Sequence, residues 1–226
     1  MEILLAAAIH DAKNALNALG VWLDKAQLER GGQSAALDQA KAITATISGQ
    51  LVELLALYRA GEGSLRMAVE DQYLEDFLGD LISELAATGK AEDAERGAAV
   101  PKLETDFAAA KKIGAWAFDA YLVKFVLLDA LRNAMRHAKQ KIHFSIAAEP
   151  GGGIRFTVAD DGPGYPDSIL RAEATTKMTP ESSGLGLSFA RVIAERHATP
   201  AGRHGRVELA NDGLGGTGAR LSLILP

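Results

Sequence analysis

Apolar residues in the first sixty positions recur at three- and four-residue steps. Leu5, Ile9, Ala12, Leu16, Leu19 and Leu23 form one helical stripe. Gly31-Gly32 interrupts it, Ser34 is placed to cap a second helix through its hydroxyl, and Ala36, Ala40, Ile43, Ile47, Leu51, Leu54 and Tyr58 form a second stripe. A hairpin with one apolar seam on each helix cannot bury both seams alone. The pattern therefore predicts a dimeric four-helix bundle assembled from two chains, a homodimer through the N-terminal helices.

Gly61-Glu62-Gly63 reads as a linker, and beyond it the periodicity changes. Leu65 to Val69 alternates like a strand, Gln72 to Leu85 is helical, and Gly89 to Ala99 is polar and small, as in a loop. Val100 to Phe107 holds a strand, and Asp119 to His137 is a strongly amphipathic helix. Ile142–Ala147 and Ile154–Ala159 alternate on either side of Glu149-Pro150-Gly151-Gly152-Gly153, a hairpin turn. Leu187 to Arg196 is helical, and Val207–Ala210 and Ala219–Leu225 close the chain as strands. Strands interspersed with helices predict an α/β sandwich, a mixed sheet with helices on one face. The expected division is 1–62 for the helical hairpin and 63–226 for the sandwich.

At 226 residues the chain is long enough for two small cores. A formal net charge of -5 argues against a nucleic-acid binder, which would need cations for phosphate contacts. Zero cysteines exclude disulfides and thiolate metal sites and fit a reducing, cytoplasmic setting. The apolar run Ile3–Ile9 is too short to span a bilayer, and Glu2 is the only charge before it, so no membrane segment is expected here or elsewhere.

Candidate chemistry concentrates in four places. His10 lies nearly opposite the Leu5/Leu23 stripe, on the face it shares with Lys13, Asn14 and Asn17. There an adjacent carboxylate, Asp11, could hold one ring N–H and leave the other nitrogen nucleophilic, while Asn14, one turn on, could orient a water. An ordinary surface histidine fits the same pattern. Asp129 and Asn133, four residues apart, project from one face of their helix, and an Asn oxygen suits Mg²⁺; a solvent-facing polar stripe is the alternative. Asp160-Asp161-Gly162-Pro163-Gly164 follows a strand directly, where an aspartate can accept a hydrogen bond from the exocyclic amine of adenine, or simply make an acidic turn. Gly184-Leu185-Gly186-Leu187 opens a helix, where unpaired N–H groups favour phosphate. It is neither a Walker A loop nor a dinucleotide fingerprint, since the Gly-Lys-Ser/Thr and the third glycine are missing.

Taken in order, these segments resemble the core of a sensor histidine kinase of a two-component system. His10-Asp11-Ala12-Lys13-Asn14 matches the family's His-(Glu/Asp)-x-x-(Asn/Thr) box, Asn133-Ala134 its N box, Asp160-x-Gly162-x-Gly164 its first glycine box and Gly184-x-Gly186 its second. The resemblance implies a dimerisation and phospho-acceptor hairpin followed by a Bergerat-type (GHKL) ATP-binding domain. ATP would be bound with Mg²⁺ on Asn133, and its γ-phosphoryl group passed to His10 and then to an aspartate of a response regulator. It also implies a phosphate contact at Arg136 (usually Lys in the family), a contact at His137, and a base or water-holding role for Asp129, where the family usually has Asn or Glu. The stretch between the glycine boxes matches an ATP lid carrying Thr175-Thr176-Lys177, with Thr176 and Lys177 near the phosphates, but it lacks the family's lid phenylalanine, since no Phe lies between Phe156 and Phe189. Two alternatives use the same fold: a phosphotransferase or binding module that no longer uses ATP, and a GHKL-type serine kinase or ATPase, which would lack the His-Asp-x-x-Asn helix.

Overall fold

The computed structural model describes residues 2–30, 34–96, 100–171 and 185–226. The chain divides into two compact units, one of residues 1–65 and 86–98, the other of residues 66–85 and 99–226.

The first unit is built on two helices, α1 (Glu2–Arg30) and α2 (Ala35–Gly61), which pack on each other as a hairpin. Lys41 of α2 fixes the antiparallel register, pairing with Asp24 at 2.7 Å and donating to Gln27 of α1. Ser34 does occupy the N-cap position of α2 with extended backbone, but its hydroxyl makes no capping bond, contrary to expectation. The expected stripe of α2 is also not the buried one. Thr44, Val52, Leu55 and Ala56 are buried, whereas Ile43, Ile47 and Leu54 stay 53%, 41% and 39% exposed. Trp22 and Leu19 of α1 are exposed as well. Two apolar faces on one hairpin mean that only one is covered within the chain. Gln39–Gly61 is long and apolar enough, at a mean hydropathy of 1.2, to match a membrane span by length and composition, where the sequence reading expected none. Helices of soluble bundles meet the same criterion, and this one is packed on α1 along part of its length.

In the second unit, β1 (Glu70–Tyr73) pairs antiparallel with β3 (Ala115–Phe118). Leu65–Val69, read from sequence as a strand, is irregular, and the strand begins only at Glu70. Helix α3 (Leu74–Arg96) starts two residues later than expected and runs through most of the segment read as a loop. It contributes its residues up to 85 to this unit. The small polar residues of 89–96 do not stop a helix because Ala, Lys and Glu among them are good helix formers. A five-stranded sheet is formed by β2 (Lys102–Asp106), β4 (Lys141–Ala148), β5 (Ile154–Asp160), β6 (Arg206–Ala210) and β7 (Arg220–Leu225), in the order β2-β4-β5-β7-β6. Only the β2–β4 pair is parallel, so the sheet is mixed.

Alternation along the strands sorts the two faces. Ile142, Phe144, Ile146, Ile154, Phe156, Val158, Leu221, Leu223 and Leu225 are buried on one side, against α5 (Ala120–His137) and α7 (Leu185–Arg196). Each such side chain contributes roughly 1.5–3 kcal/mol when fully buried. Phe77, Phe118 and Phe156 stack edge-on within this core, the first pair at 4.9 Å. The other face is polar: Arg155 bridges Glu149 and Glu208 at 2.8 and 2.7 Å, and Arg206 pairs with the same two carboxylates. The hairpin between β4 and β5 turns over Glu149–Gly153 as its composition implied. Short elements without a periodic signal complete the unit: α4 (Ala108–Ile113), α6 (Asp167–Leu170) and a 3-10 turn at Leu214–Gly216.

A buried polar knot ties α5 to α7. Asp119 caps α5, its Oδ1 accepting from the Leu122 N–H at 3.0 Å, and its Oδ2 accepts from the Ala68 N–H at 2.9 Å. The Asp119 N–H donates to Nε2 of His197, whose Nδ1–H donates to the Ile193 carbonyl at 2.7 Å. With Nε2 an acceptor the ring must be neutral, and burial holds its pKa below the ordinary 6.5. Stability from this knot is therefore full above pH 6.5 and is lost as pH falls through the lower, folded value, because the unfolded chain takes up the proton first. His197→Ala should cost about 1–3 kcal/mol by leaving the Asp119 N–H without an acceptor. Urea unfolding between pH 7.5 and 5 checks both points: the parent should lose stability towards acid, and the variant should start lower and lose less.

Candidate nucleotide site

β5 ends at Asp160, and its carboxylate is buried at the end of the sheet, 4% exposed. Its Oδ1 accepts hydrogen bonds from the backbone N–H groups of Gly162 at 2.7 Å and Ala219 at 3.2 Å. Its Oδ2 accepts none from a described residue, and among the described residues no fully buried side-chain oxygen or nitrogen lacks a partner. The carboxylate thus presents one committed oxygen and one with capacity left for a donor. Asp161, its neighbour, does something different: it accepts the N–H groups of Lys139 and Gln140 and locks the turn from α5 into β4. The burial that would raise its pKa is outweighed by those backbone donors, and the carboxyl sits below its ordinary value.

The walls of this pocket admit no side chain. A Cβ on Gly162 would lie 2.6 Å from the His137 carbonyl oxygen and 2.8 Å from Asp160 Oδ1. A Cβ on Gly218 would run into the Asp160 backbone carbonyl, which a Cβ on Gly213 would also meet, at 2.5 Å. Gly164 has φ +81°, and its amide neighbour is fixed by Asn211, whose Oδ1 accepts from the Tyr165 N–H at 2.7 Å while its Nδ2 donates to the Tyr165 carbonyl at 2.8 Å. Gly213, Gly218, Asn211 and Tyr165 were missed in the sequence. The local signal for the two glycines was slight, because the constraint is a strand-end contact made some fifty residues away.

Helix α5 supplies the second wall. Asp129 and Asn133 lie one turn apart on it, and Gly186, near the start of α7, approaches the Asp129 carboxylate so closely that a Cβ there would collide with Oδ2. The N-box helix and the second glycine box thus meet at Asp129. Asp129 remains open to solvent, yet protein packed around its carboxylate raises its pKa above the ordinary value, with Arg132 and Arg136 pulling it back. Tyr165 links the two walls. Burial first, then the negative charges of Asp160 and Asp129, push its phenol well above the usual tyrosine value, so both carboxylates lie within its electrostatic reach.

The remaining sequence candidates fall as follows. Asn133 is half-buried, Arg136 and His137 are exposed at the end of α5, and the His137 carbonyl rather than its ring meets the Gly162 backbone. Leu185, Gly186 and Leu187 are half-buried in the first turn of α7. His10, Asp11 and Asn14 are on α1, in the other unit, where Asn14 is exposed. The side chains of His10 and Asp11, and all of Thr176, Lys177 and Gly184, lie outside the described residues. Among the described residues no group of three or more His, Cys, Asp or Glu could hold a metal by itself. An Asn such as Asn133 suits a Mg²⁺ ion that takes its other ligands from phosphate and water.

Comparison with known proteins follows the same division. A family model described as histidine kinase-, DNA gyrase B-, and HSP90-like ATPase matches residues 118–226. Sensor histidine kinase ZraS of Escherichia coli O157:H7 is 36% identical over 104 residues, covering 45% of this chain and 21% of that protein. The chain thus spans about a fifth of that relative's length. Among solved structures, full-length ShkA in complex with AMPPNP is similar at a TM-score of 0.68 and 18% identity, over 100% of this chain and 46% of that one. The Acinetobacter baumannii histidine kinase AdeS follows at 0.58 and 16%, over 94% of this chain and 95% of that one. At such identities the structural likeness establishes the fold. The match over residues 118–226 and the likeness to a sensor histidine kinase agree with the resemblance read from the motifs.

Proposed function

We propose that this chain is a histidine kinase core, with a phospho-acceptor hairpin at about 1–62 and an ATP-binding domain at about 63–226. It transfers the γ-phosphoryl group of ATP to His10 and then to an aspartate of a response regulator, and as a separate activity it hydrolyses that aspartyl phosphate, with water as the acceptor. The observation that carries the nucleotide part is the Asp160 carboxylate: buried, walled by backbone that tolerates only glycine, with one oxygen fixed and the other available to an adenine amine.

In this reading the roles divide by chemistry. Asp160 and the Gly162–Gly164 backbone select and seat the base, while Tyr165, held by Asn211, closes the space between Asp160 and Asp129. Asn133 would hold a Mg²⁺ ion, which would supply charge neutralisation at the triphosphate. Leu185, Gly186 and Leu187 bring the amide end of α7 to the phosphates, with Gly184, Thr176, Lys177, Arg136 and His137 adding contacts and charge. The neutral His10 imidazole attacks the γ-phosphorus; a P–N bond forms, the bond to the β,γ-bridging oxygen breaks, and ADP leaves. Asp11 holds the other ring N–H, Asp129 accepts a proton or holds a water, and Asn14 orients the water that attacks the regulator's aspartyl phosphate, releasing the carboxylate and inorganic phosphate. A cytoplasmic homodimer suits the apolar residues left bare on α1 and α2. Covering them is worth roughly 25 cal/mol per Å² of apolar surface.

Three outcomes test this. On incubation with γ-labelled ATP the parent should incorporate acid-labile, alkali-stable label and His10→Gln none, with ATP binding intact; label that persists in the variant moves the acceptor elsewhere, and acid-stable label points to a serine kinase. Asp160→Ala should weaken nucleotide binding with or without Mg²⁺, whereas Asn133→Asp should mainly impair Mg²⁺-dependent transfer; parent-like behaviour in both would mean the site is misassigned and favour a module that has lost ATP. Light scattering should find a dimer at micromolar concentration, and Ile47→Glu should split or unfold it; a parent that stays monomeric at high concentration removes the bundle.

A further inference from the structure

Away from the nucleotide site, α3 and the first half of α5 border a cleft of about 460 Å³. Its floor is apolar and aromatic: Phe77 and Leu128 are buried at its base, and Tyr121 and Phe125 stack at 5.4 Å along one side. Tyr73 and Tyr121 are 72% and 53% exposed and add ring surface to the cleft. Its rim is acidic. Asp76, Asp80 and Glu84 stand at every fourth residue of α3, a straight line of carboxylates about 12 Å long at 1.5 Å per residue. Asp71 extends the line from β1, and among the described lining residues Lys124, 3.5 Å from Glu84, is the one cation.

We propose that this cleft docks a basic amphipathic helix of a partner protein. The geometry is that of a helix laid in a groove, with apolar residues on the rings and Lys or Arg at four-residue steps facing Asp76, Asp80 and Glu84. Tyrosine is a residue type that carries binding energy at such surfaces. The sign of the rim selects against acidic peptides, anionic lipid and nucleic acid. The cleft draws on the face of α5 that bears Tyr121, Lys124 and Phe125, whereas Asp129 and Asn133 lie further along the helix, so occupancy of the cleft and of the nucleotide site are separable by mutation.

The test uses a fluorescein-labelled, 18-residue helical peptide of leucine and lysine and its leucine–glutamate counterpart, measured by anisotropy at 0.15 M salt against the full chain. The parent should bind the lysine peptide and not the glutamate one. Asp76→Lys with Asp80→Lys should weaken binding about tenfold or more, whereas Glu104→Lys with Glu195→Lys, the same charge change on other surfaces, should alter it less than about threefold. Tyr121→Ser should weaken binding without any change of charge. Unchanged ATP binding in all variants shows that they are folded. Absence of binding, equal weakening by the two double variants, or displacement of the peptide by spermine at matched charge would overturn the proposal. So would a cleft variant that alters the oligomeric state of the parent, because the occupant would then be a second copy of this chain.

Discussion

The second unit is organised around one buried carboxylate. Asp160 ends β5 beneath a pocket, and an isolated charge in that position would be prohibitive unless the backbone met it. Two N–H groups do so, from Gly162 and Ala219, and a side chain at Gly162 or at Gly218 would collide with Asp160. Those contacts fix where the loop after β5 goes, where β7 begins and how the 3-10 turn at Leu214–Gly216 folds back between them. Gly213 and Gly218 close against the Asp160 carbonyl, Asn211 clamps Tyr165, and the second Asp160 oxygen accepts from no described residue. An acceptor with capacity for one more donor is thus built into the sheet end rather than added to it.

Helix α5 connects most of the other parts. Its N-cap is held by Asp119, which also receives Ala68 and is tied through its own N–H to His197 of the segment after α7. Its middle supplies the sheet's core, its Asp129–Asn133 turn faces Gly186, and its C-terminal carbonyl at His137 abuts Gly162. Placement of the two glycine boxes relative to one another is therefore a consequence of one helix's position. Neutral His197 makes that position sensitive to acid, because a protonated ring can no longer accept the Asp119 N–H.

Strong periodicity was legible in the sequence: α5, the β4–β5 hairpin, α7 and β7 fall within two residues of their pattern. Gly162, Gly164 and Gly186 stood out by residue type and spacing alone, although the atoms that exclude a side chain there belong to His137, Asn211 and Asp129, far along the chain. What was not legible depends on contacts distant in the chain. β3 and α4 have too little periodicity to announce themselves, and β1 is displaced from the Leu65–Val69 alternation because Glu70–Tyr73 finds Ala115–Phe118 to pair with. The stripe chosen for α2 was one of two apolar faces, and burial within the chain went to the other, Val52, Leu55 and Ala56. Asn211, Tyr165, Gly213 and Gly218 join the site only through the folding of β6 and β7 beside Asp160, which no spacing rule encodes.

Recognition of adenine rests on the second carboxylate oxygen of Asp160. Isothermal titration of the full chain with ATP and with inosine triphosphate, which carries a carbonyl where adenine carries its amine, isolates that contact. The account predicts that the parent binds ATP at least about tenfold more tightly than inosine triphosphate, the difference of one charge-assisted hydrogen bond, and that Asp160→Asn narrows the gap. Equal affinity of the parent for the two nucleotides would contradict it.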